Sequence, residues 1–252
     1  MKEGSNMKAI LLAAGKGTRI SRMVKAIPKS TLPIGGVPLI RRTVDMLKKE
    51  GFNISICVGY KQNDIKKVLE GLDVNYYYNP FYDVTNSIAS LWFAKKELDT
   101  EEDSLIINAD VFFSKQILDK VLEAQEDVTM IVDRTRTKTG DYFFSTNDNG
   151  SIKAYGKDLP LQVRQCEYVG IAKIKNSFMP DFIKRLDDLI NKQKHYMWWE
   201  DVIYSFTDND EKEVFSKDVD GLFWSEIDYF DDYERILNYI SKNSEGIEGD
   251  YR

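Results

Sequence analysis

The run Ala9-Ile-Leu-Leu-Ala-Ala-Gly-Lys-Gly-Thr-Arg19 passes straight from apolar residues into glycines, as a buried strand feeding a loop does. In an open α/β sheet, ligands sit beyond the C-terminal ends of the strands, so this junction is the first candidate binding loop. Gly15 and Gly17 let the backbone approach an anion closely, and their N–H groups can form a concave anion site. Lys16 and Arg19 add positive charge there, in a chain whose net charge is −6. The spacing is not that of a Walker loop, and Ile20 stands where a dinucleotide fingerprint needs a third small residue. Alone, a Gly-x-Gly is equally compatible with a plain turn.

Outward from this loop, strand and helix patterns alternate. Val37 to Lys49 places Val37, Ile40, Val44 and Leu47 on one helical face. Strands are predicted at Ile54 to Tyr60, Val74 to Tyr78, Leu105 to Ile107 and Val128 to Val132. The helices between them are predicted at Asp64 to Glu70, Ser87 to Leu98 and Lys115 to Ala124. Strands separated by helices of this length imply a parallel sheet covered on both faces. The rhythm then changes to a hairpin around Asn147-Asp148-Asn149-Gly150 and a strand at Val169 to Ile174. Helices near Asp181 to Asn191 and Glu200 to Phe206 follow, then short strands near Val214 and Phe223. A last helix is predicted to bury Phe230, Tyr233, Leu237 and Ile240. The fold class is therefore α/β: one Rossmann-like domain over residues 7–242 with a mixed, mostly parallel sheet flanked by helices. Residues 1–6 and 243–252 read as polar tails.

With 252 residues and 42% hydrophobic content, the chain can bury one large core. No apolar run reaches the ~18 residues of a membrane span, which makes a cytoplasmic location the default expectation. The acidic balance argues against nucleic acid as a partner. Cys57 and Cys166 form no C-x-x-C pair and read as reduced thiols. His195 is the single histidine, in a polar Lys-rich stretch, so the chemistry has to run on carboxylates, Lys, Arg and bound metal.

The order Leu12-Ala13-Ala14-Gly15-Lys16-Gly17-Thr18-Arg19, followed nine residues later by Pro28-Lys29, resembles the signature of nucleotidyltransferases that make nucleoside-diphosphate sugars and alcohols. The resemblance implies the nucleotide-diphospho-sugar transferase fold. It implies that Gly15, Gly17 and Thr18 cradle a nucleoside triphosphate, that Arg19 holds the β- and γ-phosphates, and that Lys29 reaches the reacting phosphates. Base recognition would fall largely to the backbone around Ala13 and Ala14. Asp110 closes the run Ser104-Leu-Ile-Ile-Asn-Ala-Asp110 at a strand's ligand edge, where a hard cation binds oxygen donors. The family's corresponding aspartate binds Mg²⁺, and Asp228, in Trp224-Ser-Glu-Ile-Asp228, is the candidate second ligand. Helix capping is the duller alternative for both aspartates. With a strand's period of two, Glu226 shares a side with Asp228 and joins the ligand candidates.

Later segments are similar to phosphocholine cytidylyltransferases and their phosphonate-using relatives. They are Asn79 to Trp92, Tyr155-Gly-Lys-Asp-Leu159, Tyr168 to Lys173 and Trp199-Glu-Asp-Val202. That likeness implies transfer of CMP from CTP to a small phosphorylated acceptor, in routes such as cell-surface polysaccharide synthesis, with no nucleic acid and no membrane insertion. Candidate acceptor residues are Tyr82, Asn86, Trp92, Lys157, Trp199, Glu200 and Asp201. Tyr82, Trp92 and one of Trp198 and Trp199 could wall a cage for a quaternary ammonium, with Glu200 and Asp201 as counter-charge. The duller reading places these aromatics in the core and the acids in a helix's first turn. Arg134, Arg136, Lys138 and Lys157 are the basic candidates for an acceptor's anionic groups. More than one of them in the site would favour a carboxylate-bearing acceptor. A sugar-1-phosphate nucleotidyltransferase using another triphosphate and a non-catalytic nucleotide-binding module are the competing readings. Asn108 speaks against the Asp-x-Asp pair of a glycosyltransferase.

Overall fold

The opening apolar run owes its composition to its place in the molecule. The computed structural model describes residues 7–17, 27–208 and 212–243. Its strands in chain order are β1 (Lys8–Ala13), β2 (Pro33–Ile34), β3 (Val37–Pro38), β4 (Asn53–Val58), β5 (Asn75–Tyr78), β6 (Ser104–Asn108) and β7 (Val111–Phe113). There follow β8 (Val128–Asp133), β9 (Phe143–Thr146), β10 (Ile152–Gly156), β11 (Cys166–Ile174), β12 (Phe215–Asp218) and β13 (Trp224–Glu226). The helices are α1 (Leu39–Lys49), α2 (Gln62–Val68), α3 (Ser87–Phe93), α4 (Lys115–Leu122), α5 (Met179–Asn191), α6 (Glu200–Asp208) and α7 (Phe230–Lys242).

β1 pairs in parallel with β4 on one side and β6 on the other, and β5 extends the parallel block. A strand with neighbours on both edges and helices on both faces has no polar side, so alternation disappears from its sequence. Its side chains still divide by period two. Ala9, Leu11 and Ala13 enter the cluster that includes residues of α1 and α4, and Ile10 enters the cluster with residues of α3, α5 and α6. Burying each large aliphatic side chain is worth about 1.5–3 kcal/mol.

The other half of the sheet is mixed. β11 runs antiparallel to β6, β8 and β9, β10 closes the hairpin on β9, and β12 pairs in parallel with β8. Between Tyr168 and Ala172 the β11–β8 register shifts. Gly170 lies there at φ +91°, and a Cβ at that position would sit 2.8 Å from Val111 Cγ2. The bulge lets one strand serve three neighbours. Cys57 and Cys166 are buried free thiols.

Three expectations need correction. The helix from Ser87 ends at Phe93 and continues only as a 3-10 turn at Lys95–Glu97. Val37, expected on the buried face of the first helix, belongs with Pro38 to β3 and is exposed, and α1 begins at Leu39; β7, with Phe112 and Phe113, pairs with β13. On α7 the fully buried residue is Ile236, and Tyr233, Tyr239 and Ile240 join it over Leu32, Ile34 and Phe112. Leu237 lies off that face because the neighbouring β2 and the loop to α1 meet the helix along the 233–236–240 row.

Candidate active site

A cavity of about 310 Å³ opens at the C-terminal edge of β1 and β6. Two bonds fix where the first loop leaves the sheet. Ala109 N–H donates to Leu12 O at 3.1 Å, and Tyr60 N–H donates to Ala14 O at 3.0 Å. Leu12, Ala13, Ala14, Gly15 and Gly17 line the cavity, with Pro28, Lys29 and Ser30 facing them. Gly17 has φ +58°, and a Cβ there would lie 2.6 Å from Lys29 Cγ. The glycine is thus what lets the stem of Lys29 cross the loop. Thr31 Oγ1 donates to Pro28 O at 2.8 Å and holds the 3-10 turn that carries the lysine. Thr18 and Arg19 lie outside the described residues. Lys16 does not line the cavity; its ammonium pairs with Asp83 on the neighbouring loop.

The carboxylates converge through β7 and β13. Glu226 is registered opposite Val111, and Ile227 N–H donates to Asp110 O at 3.0 Å. Oxygens of Asp110, Glu226 and Asp228 consequently lie within 4.8 Å of one another. Neither aspartate is a helix cap. Asp232 accepts from the N–H groups of Asp228 and Tyr229 at 3.1 and 2.8 Å, and α4 begins after Ser114. Lys29 Nζ reaches Asp110 at 3.5 Å and bonds Asp228. Burial opposes the charge of Lys29, but Asp110 and Asp228 outweigh it, and its pKa is raised. Burial also raises Asp110, against the pull of Lys29, and lifts Glu226 well above the carboxylate range, with Asp110 and Asp228 adding repulsion. Three carboxylates facing one lysine form an electron-rich set of hard oxygen donors, the chemistry that suits a small divalent cation.

The far half of the cavity is aromatic. Tyr142, Tyr168, Trp198 and Tyr204 line it together with the expected Tyr82, Asn86, Lys157 and Glu200. Tyr142 and Tyr204 stack at 5.4 Å with planes 4° apart, and Trp198 meets Tyr142 edge-on at 6.2 Å. Lys157 Nζ sits 4.7 Å from the Trp198 ring and pairs with Asp141 at 2.7 Å. Asn86 accepts from Ser87 N–H at 2.8 Å and caps α3. Glu200 accepts from Asn108 Nδ2 at 3.1 Å, and burial lifts its carboxyl to about 7.

Three expected acceptor residues lie elsewhere. Trp92 donates to Asp187 of α5 at 2.7 Å and packs under Lys95. Trp199 is fully buried and donates to Asn108 Oδ1 at 3.0 Å. Asp201 turns back to accept from Trp198 N–H at 2.8 Å, as an acid in a helix's first turn does. Of the tryptophan pair, it is Trp198 that faces the cavity, 40% exposed. Of the basic candidates, only Lys157 lines it. Arg136 lies against the Trp224 ring at 4.3 Å, donates to Trp224 O at 2.9 Å, and anchors β13. Arg134 and Lys138 point to the surface. Tyr142, Tyr168 and Tyr204 were missed because they sit in apolar runs like any core aromatic. Only the pairing of β9, β10 and β11 with α6 packed behind brings them together.

The model of the MobA-like NTP transferase domain matches residues 9–168. The chain belongs to the MobA-like NTP transferase family. The match takes in the glycine loop, Lys29 and Asp110 of this transferase, whereas Asp228 lies beyond it. The CTP:phosphoglutamine cytidylyltransferase of Campylobacter jejuni is 27% identical over 252 residues, covering 90% of this transferase and 98% of the relative. A choline-phosphate cytidylyltransferase of Streptococcus pneumoniae is 37% identical over 112 residues, 44% of this transferase and 48% of the relative. The solved CTP:phosphocholine cytidylyltransferase of Streptococcus pneumoniae superposes with a TM-score of 0.75 at 23% identity, covering 93% of this transferase and 99% of that chain. It shares the fold. Among the described residues of this transferase, no helix is long and apolar enough to cross a membrane.

Proposed function

We propose that the chain transfers a cytidylyl group from CTP to a small phosphorylated acceptor, releases pyrophosphate, and uses Mg²⁺. The observation that carries the reading is one cavity with two unlike halves. The glycine loop and Lys29 stand beside three carboxylates at one end, and the aromatic chamber with Lys157 and Glu200 stands at the other. The relative matched over nearly its whole length, named for CTP and a phosphorylated amino acid, supports the same division.

The chemistry needs no side-chain base. A phosphomonoester is largely dianionic near neutral pH, and one of its oxygens attacks the α-phosphorus of CTP. The bond from that phosphorus to the bridging oxygen breaks, and the electron pair leaves with pyrophosphate. The protein's task is to align two anions and neutralise the charge that develops. Mg²⁺ held by Asp110 and Asp228, with Glu226 beside them, would supply most of that neutralisation. Lys29, buried and held charged by its aspartates, adds a fixed positive group at the loop. Lys157 offers a cation to the acceptor's anionic group from the opposite wall.

The test is pyrophosphate release with Mg²⁺, each nucleoside triphosphate in turn, and a panel of phosphorylated alcohols, aminophosphonates, phosphoamino acids and sugar 1-phosphates. CTP with a non-sugar acceptor is the expected productive pair. Turnover only with a sugar 1-phosphate would replace this reading by the sugar-nucleotide one, and no release with any pair would remove the transferase reading.

A further inference from the structure

The acceptor chamber has aromatic walls but a polar floor. Tyr168, on β11, is 7% exposed and lines the cavity, and its hydroxyl has no hydrogen-bond partner. Other described side chains also hold an unpartnered buried polar atom, but Tyr168 is the one among them that lines the cavity. Several other polar groups that line the cavity already have protein partners. Ser90 accepts from Asn79 Nδ2 at 3.0 Å, Ser87 Oγ from Trp199 N–H at 2.9 Å, and Asn86 caps α3. Glu200 and Glu226 both line the cavity and both act on Tyr168 electrostatically; Glu226 belongs to the carboxylate cluster, whereas Glu200 is buried on the aromatic side and held by Asn108 at one oxygen. A buried hydroxyl without a partner is costly, and such groups persist in native proteins where a ligand or water completes them.

We infer that Tyr168 and Glu200 form a hydrogen-bonding subsite for an N–H-bearing nitrogen of the acceptor, a primary ammonium or an amide, and that the chamber discriminates against a trimethylated one. Both kinds of nitrogen fit against aromatic walls. Only an N–H can donate to the phenol oxygen and the carboxylate; methyl groups in the same place would leave the hydroxyl buried and unpaired. Sites built around a hydrogen bond reject the analogue that lacks it far more strongly than apolar pockets reject a methyl group. The inference deepens the proposed transfer and takes from it only the phosphorylated nature of the ligand.

Phosphoethanolamine and phosphocholine differ by three methyl groups on nitrogen and are the probes. Calorimetric titration of the full chain, with Mg²⁺ and a non-hydrolysable CTP analogue present, gives their affinities without turnover. Phosphoethanolamine is expected to bind roughly tenfold or more tightly than phosphocholine. In Tyr168→Phe the ratio should collapse toward one, mainly through weaker binding of phosphoethanolamine, with Tm unchanged or raised because an unpaired hydroxyl has gone. Equal or tighter binding of phosphocholine overturns the inference. So does a ratio that survives Tyr168→Phe, binding of neither probe, or a fall in the variant's Tm, which would give the hydroxyl a structural partner. Pyrophosphate release is scored separately. Its absence alongside intact discrimination removes the reaction and leaves the subsite standing.

Discussion

Ile227 donates its N–H to the main-chain carbonyl of Asp110 at 3.0 Å, and that bond sets the register that brings Asp228 and Glu226 to Asp110. It follows directly on the β7–β13 pairing, so a slip of one residue would turn Glu226 and Asp228 to the opposite face. Arg136, against the ring and carbonyl of Trp224, holds that short strand in place.

Asp110→Asn and Asp228→Asn should each lower kcat by roughly 10²–10³-fold, the usual cost of removing one transition-state stabilising group. The fold should survive, since neither carboxylate caps a helix. A divalent cation at a hundredfold excess over its Kd should raise the wild-type Tm by roughly 5–10 °C and the variants' far less. In EDTA, Glu226→Gln should be more stable than wild type, because one of three crowded carboxylates is gone. Thermal melts with and without metal check both statements, and an equal Mg²⁺ response in Asp110→Asn would refute the ligand assignment.

Gly17→Ala should cost activity through Lys29. The new Cβ would meet the lysine stem at 2.6 Å in a left-handed backbone, displacing the ammonium from the aspartates. A fall in kcat of about 10–100-fold is expected, as for a catalytic group moved by about 1 Å. Lys29→Ala, which removes the ammonium outright, is the comparison and should lose at least as much activity. Kinetics on the two variants side by side would decide it.

The tryptophans should separate binding from stability. Trp198→Ala is expected to raise the acceptor KM with little change in Tm, because the ring is 40% exposed at the cavity wall. Trp199→Ala should cost about 3–5 kcal/mol of stability as a fully buried side chain. Trp92→Ala should lower Tm and leave the acceptor KM unchanged, since its ring NH is spent on Asp187. Urea melts and acceptor titrations distinguish the three.

Stability should fall as pH rises from about 4.5 to about 7. Burial lifts both Glu167 and Glu200 to about 7 in the folded chain, against about 4.3 when unfolded. The native state therefore holds protons that the unfolded state has released, and deprotonation across this window favours unfolding. Glu167→Gln should flatten the slope while keeping the acceptor for Asp141 N–H at 3.0 Å. Chemical denaturation at several pH values, for wild type and variant, measures it.

The loop end of the cavity was legible because its signals are local. A glycine loop after an apolar strand, then Pro28-Lys29, lie within a few dozen residues, and the parallel block around β1 follows from uninterrupted apolar runs. Asp110 was legible as a strand-end acid. Asp228 and Glu226 were nameable as candidates, but their meeting with Asp110 depends on β7, a three-residue strand hidden in Phe112-Phe113. The aromatic end was least legible. The sequence offered one of Trp198 and Trp199 as a cavity wall, but not which of them turns inward.

Sequence by itself determined the α/β alternation, the glycine loop that ends the first strand and the carboxylate at the end of β6, because each depends on neighbours along the chain. Only the tertiary structure decided which aromatics are core and which are wall, that Lys16 is spent on Asp83, and that the chamber ends in a bare tyrosine hydroxyl. Burial and hydrogen-bond completion are properties of groups brought together from distant parts of the chain, and no local pattern encodes them.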